Sequence, residues 1–150
     1  MNRHNSTSSR PNPVLWWSLA LGFLAIIAAA WSRPELGADA ARAFVAHLFP
    51  ALTGRQVHLA VAMLRKAAHV IGYGLFTLIL TNAILSLRRA PHTRADLSRI
   101  VVISALLALF VAILDERLQM MISFRSGAGQ DVGIDFLGIL AGVLFRLCRP

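Results

Sequence analysis

Long runs without charged residues are the feature that most constrains this chain. Residues 14–31 and 67–87 carry no formal charge, and residues 100–114 are all apolar or small. Residues 132–147 form a fourth apolar stretch, which contains Asp135. A helix needs about 20 residues to cross a bilayer, and it satisfies its own backbone hydrogen bonds in lipid. The sequence therefore predicts an all-α integral membrane bundle of four transmembrane helices.

The composition agrees with a membrane protein and argues against a nucleic-acid-binding one. Of the 150 residues, 57% are apolar and only 15% are charged, whereas soluble domains have about 25% charged residues. The net charge is +8, but the arginines are scattered between the apolar runs, where they can meet anionic lipid head groups. We therefore expect a lipid bilayer as the partner and no nucleic acid. The single cysteine, Cys148, excludes an internal disulfide.

The two ends of the first apolar run bear on domain organisation. Residues 1–13 are polar and basic, so we expect a disordered tail there and one membrane domain over residues 14–150. Trp16, Trp17 and Trp31 flank the run as interfacial anchors do, which favours a retained helix. The small residues before Trp31 also resemble a signal-peptide cleavage site, and both interpretations remain open.

Arginine distribution predicts the orientation. Residues 88–99 contain four arginines, the densest basic segment in the chain, so the positive-inside rule places this loop and both termini in the cytoplasm. Residues 32–66 would then lie outside, although they also contain basic residues. Within them, the stretch ADAARAFVAHLFPAL indicates either an interfacial helix on the bilayer, between the first and second spans, or a loop.

Polar residues occur where three of the predicted spans reach the same side of the membrane, whichever side that is. Lys66, His69 and Tyr73 form one stripe at the start of the second span. The third span ends with the charged and amide residues Asp115, Glu116 and Gln119, and the fourth begins with a stripe of Asp131, Asp135, Gly138 and Gly142. Small residues such as these glycines allow helices to approach closely. The pattern predicts one polar pocket near one membrane surface.

Asp135 lies one helical turn beyond Asp131, about 6 Å deeper. A carboxylate at that depth needs a partner or water, because burying it in hydrocarbon costs a few kcal/mol. Arg125, Lys66 and His69 are the cations that we expect near it.

These segments resemble a known family. The sequences RKAAHVIGYGLF, LDERLQ and FRSGAGQDVGIDFLGILAG are similar to those of the VanZ-like family of bacterial membrane proteins, over residues 62–147. The family pattern falls on Lys66, His69, Tyr73, Asp115, Glu116, Gln119, Arg125, Asp131, Asp135, Gly138 and Gly142. The chain departs from it at Leu118, where the family often has histidine, and at Asp135, where it usually has asparagine.

The resemblance implies an integral protein of the bacterial cytoplasmic (inner) membrane. The founding member of the family is associated with low-level resistance to teicoplanin-type glycopeptide antibiotics, which act outside that membrane. We therefore expect a polar site at the outer face that binds or modifies an envelope lipid or cell-wall component. Ligand contacts are assigned to Lys66, Tyr73, Gln119, Arg125, Asp131 and Asp135.

The residues leave the chemistry of this site open. His69 with Asp115 or Glu116 could act as an acid–base pair, since histidine titrates near neutral pH. A metal-dependent enzyme is an alternative because the ligand types suit a divalent ion, although no fixed metal-binding spacing occurs. A small transporter and a purely structural network are further alternatives. The residues define neither the cofactor, the substrate nor the oligomeric state.

Overall fold

The computed structural model describes residues 11–32, 38–88, 93–122 and 128–149, with their side chains except those of residues 30–32, 38, 39, 119, 122 and 128–130. Within these ranges the chain forms five helices: α1 (Pro13–Ser32), α2 (Ala38–Leu48), α3 (Gly54–Ser86), α4 (Arg94–Ile122) and α5 (Ala128–Cys148). No strand occurs in this part of the chain. The prediction of an all-α fold is confirmed, while most of the predicted disordered tail, residues 1–10, lies outside the described residues.

Two helices have the length and composition to cross a membrane, so the predicted four spans are supported for two. These are Gly54–Ser86 and Arg94–Leu118. α1 contains a shorter apolar helical segment, Pro13–Ala29. α5 is interrupted by Asp131, Asp135 and Arg146, which leave residues 136–145 as its longest uncharged stretch.

The outward faces of the helices are apolar. Side chains that are more than half exposed include Val14 on α1, Leu106 and Phe110 on α4, and Leu137 and Leu144 on α5. Monomeric soluble proteins rarely expose contiguous apolar surface on this scale. The surface therefore fits a lipid bilayer environment.

α3 and α4 extend beyond the uncharged runs because polar residues cap them. The backbone N–H of Thr53 donates to Gln56 Oε1 at 2.8 Å, so α3 begins well before residue 67. At α4, the backbone N–H groups of Thr93 and Asp96 each donate to the other residue's side chain, at 3.2 and 3.1 Å. Residues 94–99, which the arginine pattern assigned to a loop, are consequently the first turns of α4.

α3 is the central helix of the bundle. It contacts all four other helices, most extensively α5, whereas the described residues of α2 pack on α3 and on no other described helix. The main core lies between α1, α3, α4 and α5 and consists of Ala20, Tyr73, Phe76, Leu80, Ala108, Ala112 and Ile139. A second, smaller cluster joins α2 to the first turns of α3 through Val45, Val57 and Val61.

Glycines set the distance between α3 and α5. A Cβ atom on Gly138 would collide with the carbonyl oxygen of Val70, and one on Gly142 would lie 2.6 Å from the carbonyl oxygen of Gly74. Gly74 in turn faces the carbonyl oxygen of Gly138, at 3.0 Å from an added Cβ. The two backbones therefore touch directly, as the small residues at 138 and 142 predicted, and Gly74 is an unpredicted partner on α3.

Candidate functional site

Two charged pairs join the first halves of α3 and α5. Arg65 Nη2 lies 3.2 Å from Asp131 Oδ2, and His69 Nδ1 lies 2.8 Å from Asp135 Oδ1. Each pair is four residues from the next on both helices, so the two helices run parallel and their pairs stack one turn apart. The outer pair is partly exposed, whereas Asp135 is only 1% exposed.

α4 reaches the same region through its C-terminal part. The Tyr73 hydroxyl donates a hydrogen bond of 3.0 Å to Asp115 Oδ2, and both residues are buried. Because Tyr73 lies one turn after His69 on α3, this bond continues the row formed by the two charged pairs. Side chains from three helices thus meet at one end of the bundle. We call this set the polar cluster: Arg65, His69, Tyr73, Asp115, Glu116, Asp131 and Asp135.

Glu116 differs from the other carboxylates of the polar cluster. It is 8% exposed, and no hydrogen bond or ion pair joins it to any other described side chain. Its charge interacts with those of Asp131, Asp115, Asp135 and His69, so the carboxylate lies among groups that are mostly of its own sign. Its oxygens are not among the fully buried polar atoms without a partner, so they reach the surface of the polar cluster, where the acidic neighbours stabilise the charge poorly.

The structure corrects one expectation about the cations. Lys66 is exposed and makes no ion pair with the described carboxylates. The preceding residue, Arg65, forms the ion pair with Asp131 instead. Neighbouring helix positions point about 100° apart, so only one of the two can face α5. His69 forms its ion pair with Asp135, whereas the acid–base role of His69 with Asp115 or Glu116 stays a prediction.

Two other predicted site residues cannot be placed in the polar cluster. Arg125 and the side chain of Gln119 lie outside the described residues. The remaining predicted residues, His69, Tyr73, Asp115, Glu116, Asp131 and Asp135, are brought together. Arg65 is the functional candidate that the sequence reasoning missed, although its spacing of four from His69 matches that of Asp131 from Asp135.

Buried hydroxyls further along the bundle bond within their own helices. Thr77 and Thr81 donate to the carbonyl oxygens of Tyr73 and Thr77 at 2.9 and 2.8 Å, and Ser104 donates to that of Ile100 at 2.8 Å. These side chains satisfy their donors locally. The described groups available for intermolecular contacts at the polar cluster are therefore its carboxylates, Arg65, His69 and Tyr73.

The described side chains include ligand groups of the kinds that hold metal ions. Among the side chains that the structure describes, no three His, Cys, Asp or Glu groups are placed to share an ion. An open cavity of about 580 Å³ lies elsewhere, between α2 and the start of α3, and its lining includes Arg42, Leu52, Val57 and His58. It is about two helical turns before Arg65 and contains no residue of the polar cluster.

Comparison with known proteins identifies the family. The model of the VanZ/LLP1 family matches residues 15–149, nearly the whole chain, and the chain therefore belongs to that family. Comparison with curated proteins and with solved structures found no significant match. The match extends the resemblance noted for residues 62–147 across α1 and α2.

Proposed function

We propose that this member of the VanZ/LLP1 family is a multi-pass protein of the bacterial cytoplasmic membrane that binds the head group of an envelope lipid or lipid-linked cell-wall component. The observation that carries the proposal is the polar cluster itself. Three mostly apolar helices converge on it, and it includes buried carboxylates at Asp115, Glu116 and Asp135. Ionisable residues inside membrane helices are costly, so their concentration at one place supports a binding role.

The outer face of the membrane is the proposed location of the polar cluster. Lys66 and Arg117 are exposed near the polar cluster, and Arg88 and Arg99 are exposed at the opposite end of α3 and α4. The support for the orientation is the density of arginines in residues 88–99, which contain four. Basic residues favour the cytoplasmic side, which would put the polar cluster outside and both termini inside. Four spans, formed by α1, α3, α4 and α5, are required for this arrangement.

Binding is better supported than catalysis by the described groups. The hydroxyls of Thr77, Thr81 and Ser104 are engaged with backbone carbonyls, and the Tyr73 hydroxyl is bonded to Asp115. The hydroxyls of Thr77, Thr81 and Ser104 therefore have no general base as a hydrogen-bond partner, whereas the Tyr73 hydroxyl donates to a carboxylate. Carboxylates, an imidazole and the nearby guanidinium of Arg65 can instead hold the polar groups of a lipid head by hydrogen bonds.

The test measures susceptibility to teicoplanin and to other cell-wall inhibitors. A deletion strain is complemented with the wild-type chain, with Glu116→Gln, or with Asp96→Asn, which removes a carboxylate from the other end of α4. We expect Glu116→Gln to behave as the deletion does and Asp96→Asn as the wild type does, at equal amounts of protein in the membrane fraction. Wild-type susceptibility in the Glu116→Gln strain would overturn the proposal.

A further inference from the structure

The charges of the polar cluster do not balance among the described residues. Four carboxylates face one guanidinium, that of Arg65, and one imidazole, that of His69. Both cations are already bonded, to Asp131 and Asp135 respectively. Two further basic residues of the described helices, Lys66 and Arg117, are exposed and form no ion pair with the described carboxylates.

Three of the four carboxylates have partners, and Glu116 is the exception within the described part of the chain. Asp131 is paired with Arg65 and Asp135 with His69. Asp115 accepts a hydrogen bond of 3.0 Å from the Tyr73 hydroxyl. Glu116 is more than nine-tenths buried and interacts electrostatically with Asp131, Asp115 and Asp135, which repel it. Its carboxylate oxygens are not fully buried, so they can accept hydrogen bonds from a donor supplied from outside the chain.

We propose that the ligand of the polar cluster carries a primary ammonium group and that Glu116 accepts its hydrogen bonds. This inference rests on the proposed binding function and names the chemical class of its ligand. An ammonium group has three donors and a positive charge, so it would offset the repulsion between Glu116 and its acidic neighbours. A single carboxylate can hold an ammonium, whereas the described side chains offer no three-ligand set for a metal ion.

Two kinds of envelope molecule present such a group next to a membrane. One is an amine-containing phospholipid head group, and the other is the side-chain amine of a peptide on a lipid-linked cell-wall precursor. The chemistry recognised by Glu116 is the same in both. They differ in the distance of the amine from the lipid phosphate, so separate probes distinguish them.

The experiment uses the full chain in phosphatidylglycerol nanodiscs. One arm adds short-chain phosphatidylethanolamine, and the other adds a lipid-linked disaccharide pentapeptide with a free lysine amine. Each probe is compared with its N-acetylated form, and dissociation constants are measured by native mass spectrometry for wild type, Glu116→Gln and Asp96→Asn. We expect at least one free amine to bind wild type and Asp96→Asn about tenfold more tightly than its acetylated form.

Glu116→Gln should abolish that preference, because a neutral amide cannot attract the ammonium by charge. Equal binding of the free and acetylated forms to wild type would overturn the inference even if the variant fails to fold. Failure of both probes to bind wild type would also overturn it. Neither outcome bears on the susceptibility experiment, so loss of the ammonium preference and loss of the proposed function are separately observable.

Discussion

The contact between α3 and α5 has two halves that are held together in different ways. In the first half, side chains meet: Arg65 with Asp131, and His69 with Asp135. In the second half, backbones meet, because Gly74, Gly138 and Gly142 carry no side chains. The comparison shows that ion pairs can hold one end of a helix pair together while side-chain-free glycines allow close backbone packing at the other end.

The two halves should differ in their tolerance of substitution. A backbone contact cannot be relieved by a rotamer change, so an added carbon forces the helices apart. A pair of side chains can be replaced at a cost that depends on burial. Asp135 is 1% exposed, whereas the side chains of Arg65 and Asp131 are 37% and 23% exposed.

Gly138→Ala should produce the largest loss of stability. The new Cβ would overlap the carbonyl oxygen of Val70, and overpacking of this kind costs about 3 kcal/mol. The free energy of unfolding, measured by equilibrium denaturation in mixed micelles, would reveal it.

The matched control is Gly133→Ala on the same helix. An added Cβ at Gly133 meets nothing within 4 Å, so the substitution should gain up to about 1 kcal/mol through helix propensity. Equal stability of the two alanine variants would show that the backbones of α3 and α5 do not approach each other closely at Gly138.

His69→Ala should produce the next largest loss. Removing the imidazole leaves Asp135 buried without its partner, and an unsatisfied buried acceptor costs about 2 kcal/mol. The unfolding free energies of His69→Ala, Asp135→Ala and the double variant form a cycle that measures the interaction. We expect a coupling energy of about 1 kcal/mol or more.

Asp135→Asn sharpens the same cycle. The amide keeps a hydrogen-bonding group toward His69 and removes the buried charge, so this variant should be more stable than Asp135→Ala. Additive effects of His69→Ala and Asp135→Ala would show that the 2.8 Å pair contributes nothing specific.

The sequence was sufficient to predict the helical class and the end of the bundle where polar residues meet. Successive membrane spans run in opposite directions, so the start of the second, the end of the third and the start of the fourth lie on the same side of the membrane. The sequence alone therefore predicts that His69, Asp115 and Asp135 lie together. The uncharged runs did not define where helices begin, because α3 and α4 continue through polar turns that caps stabilise.

The pairing within the polar cluster could not be predicted because it depends on helix rotation. One stripe through Lys66, His69 and Tyr73 and another through Arg65, His69 and Tyr73 both fit a helix. The close approach at Gly74 and Gly138 accompanies a rotation that turns Arg65 toward α5. The same rotation of α3 places His69 next to Asp135.

Arg65→Ala should cause a smaller loss of stability than Gly138→Ala or His69→Ala, and its comparison with Lys66→Ala tests the two adjacent cations directly. The Arg65–Asp131 pair is partly exposed, and pairs of that kind contribute about 0.5 kcal/mol. Lys66→Ala removes an exposed charge that forms no ion pair with the described carboxylates, so its unfolding free energy should match that of wild type. The difference between the two variants should also shrink at high salt, because mobile ions screen an exposed pair.

A larger loss for Lys66→Ala than for Arg65→Ala would mean that α3 is rotated by about one residue relative to α5. That rotation would separate His69 from Asp135 as well, so the least costly substitution tests the register on which the polar cluster depends.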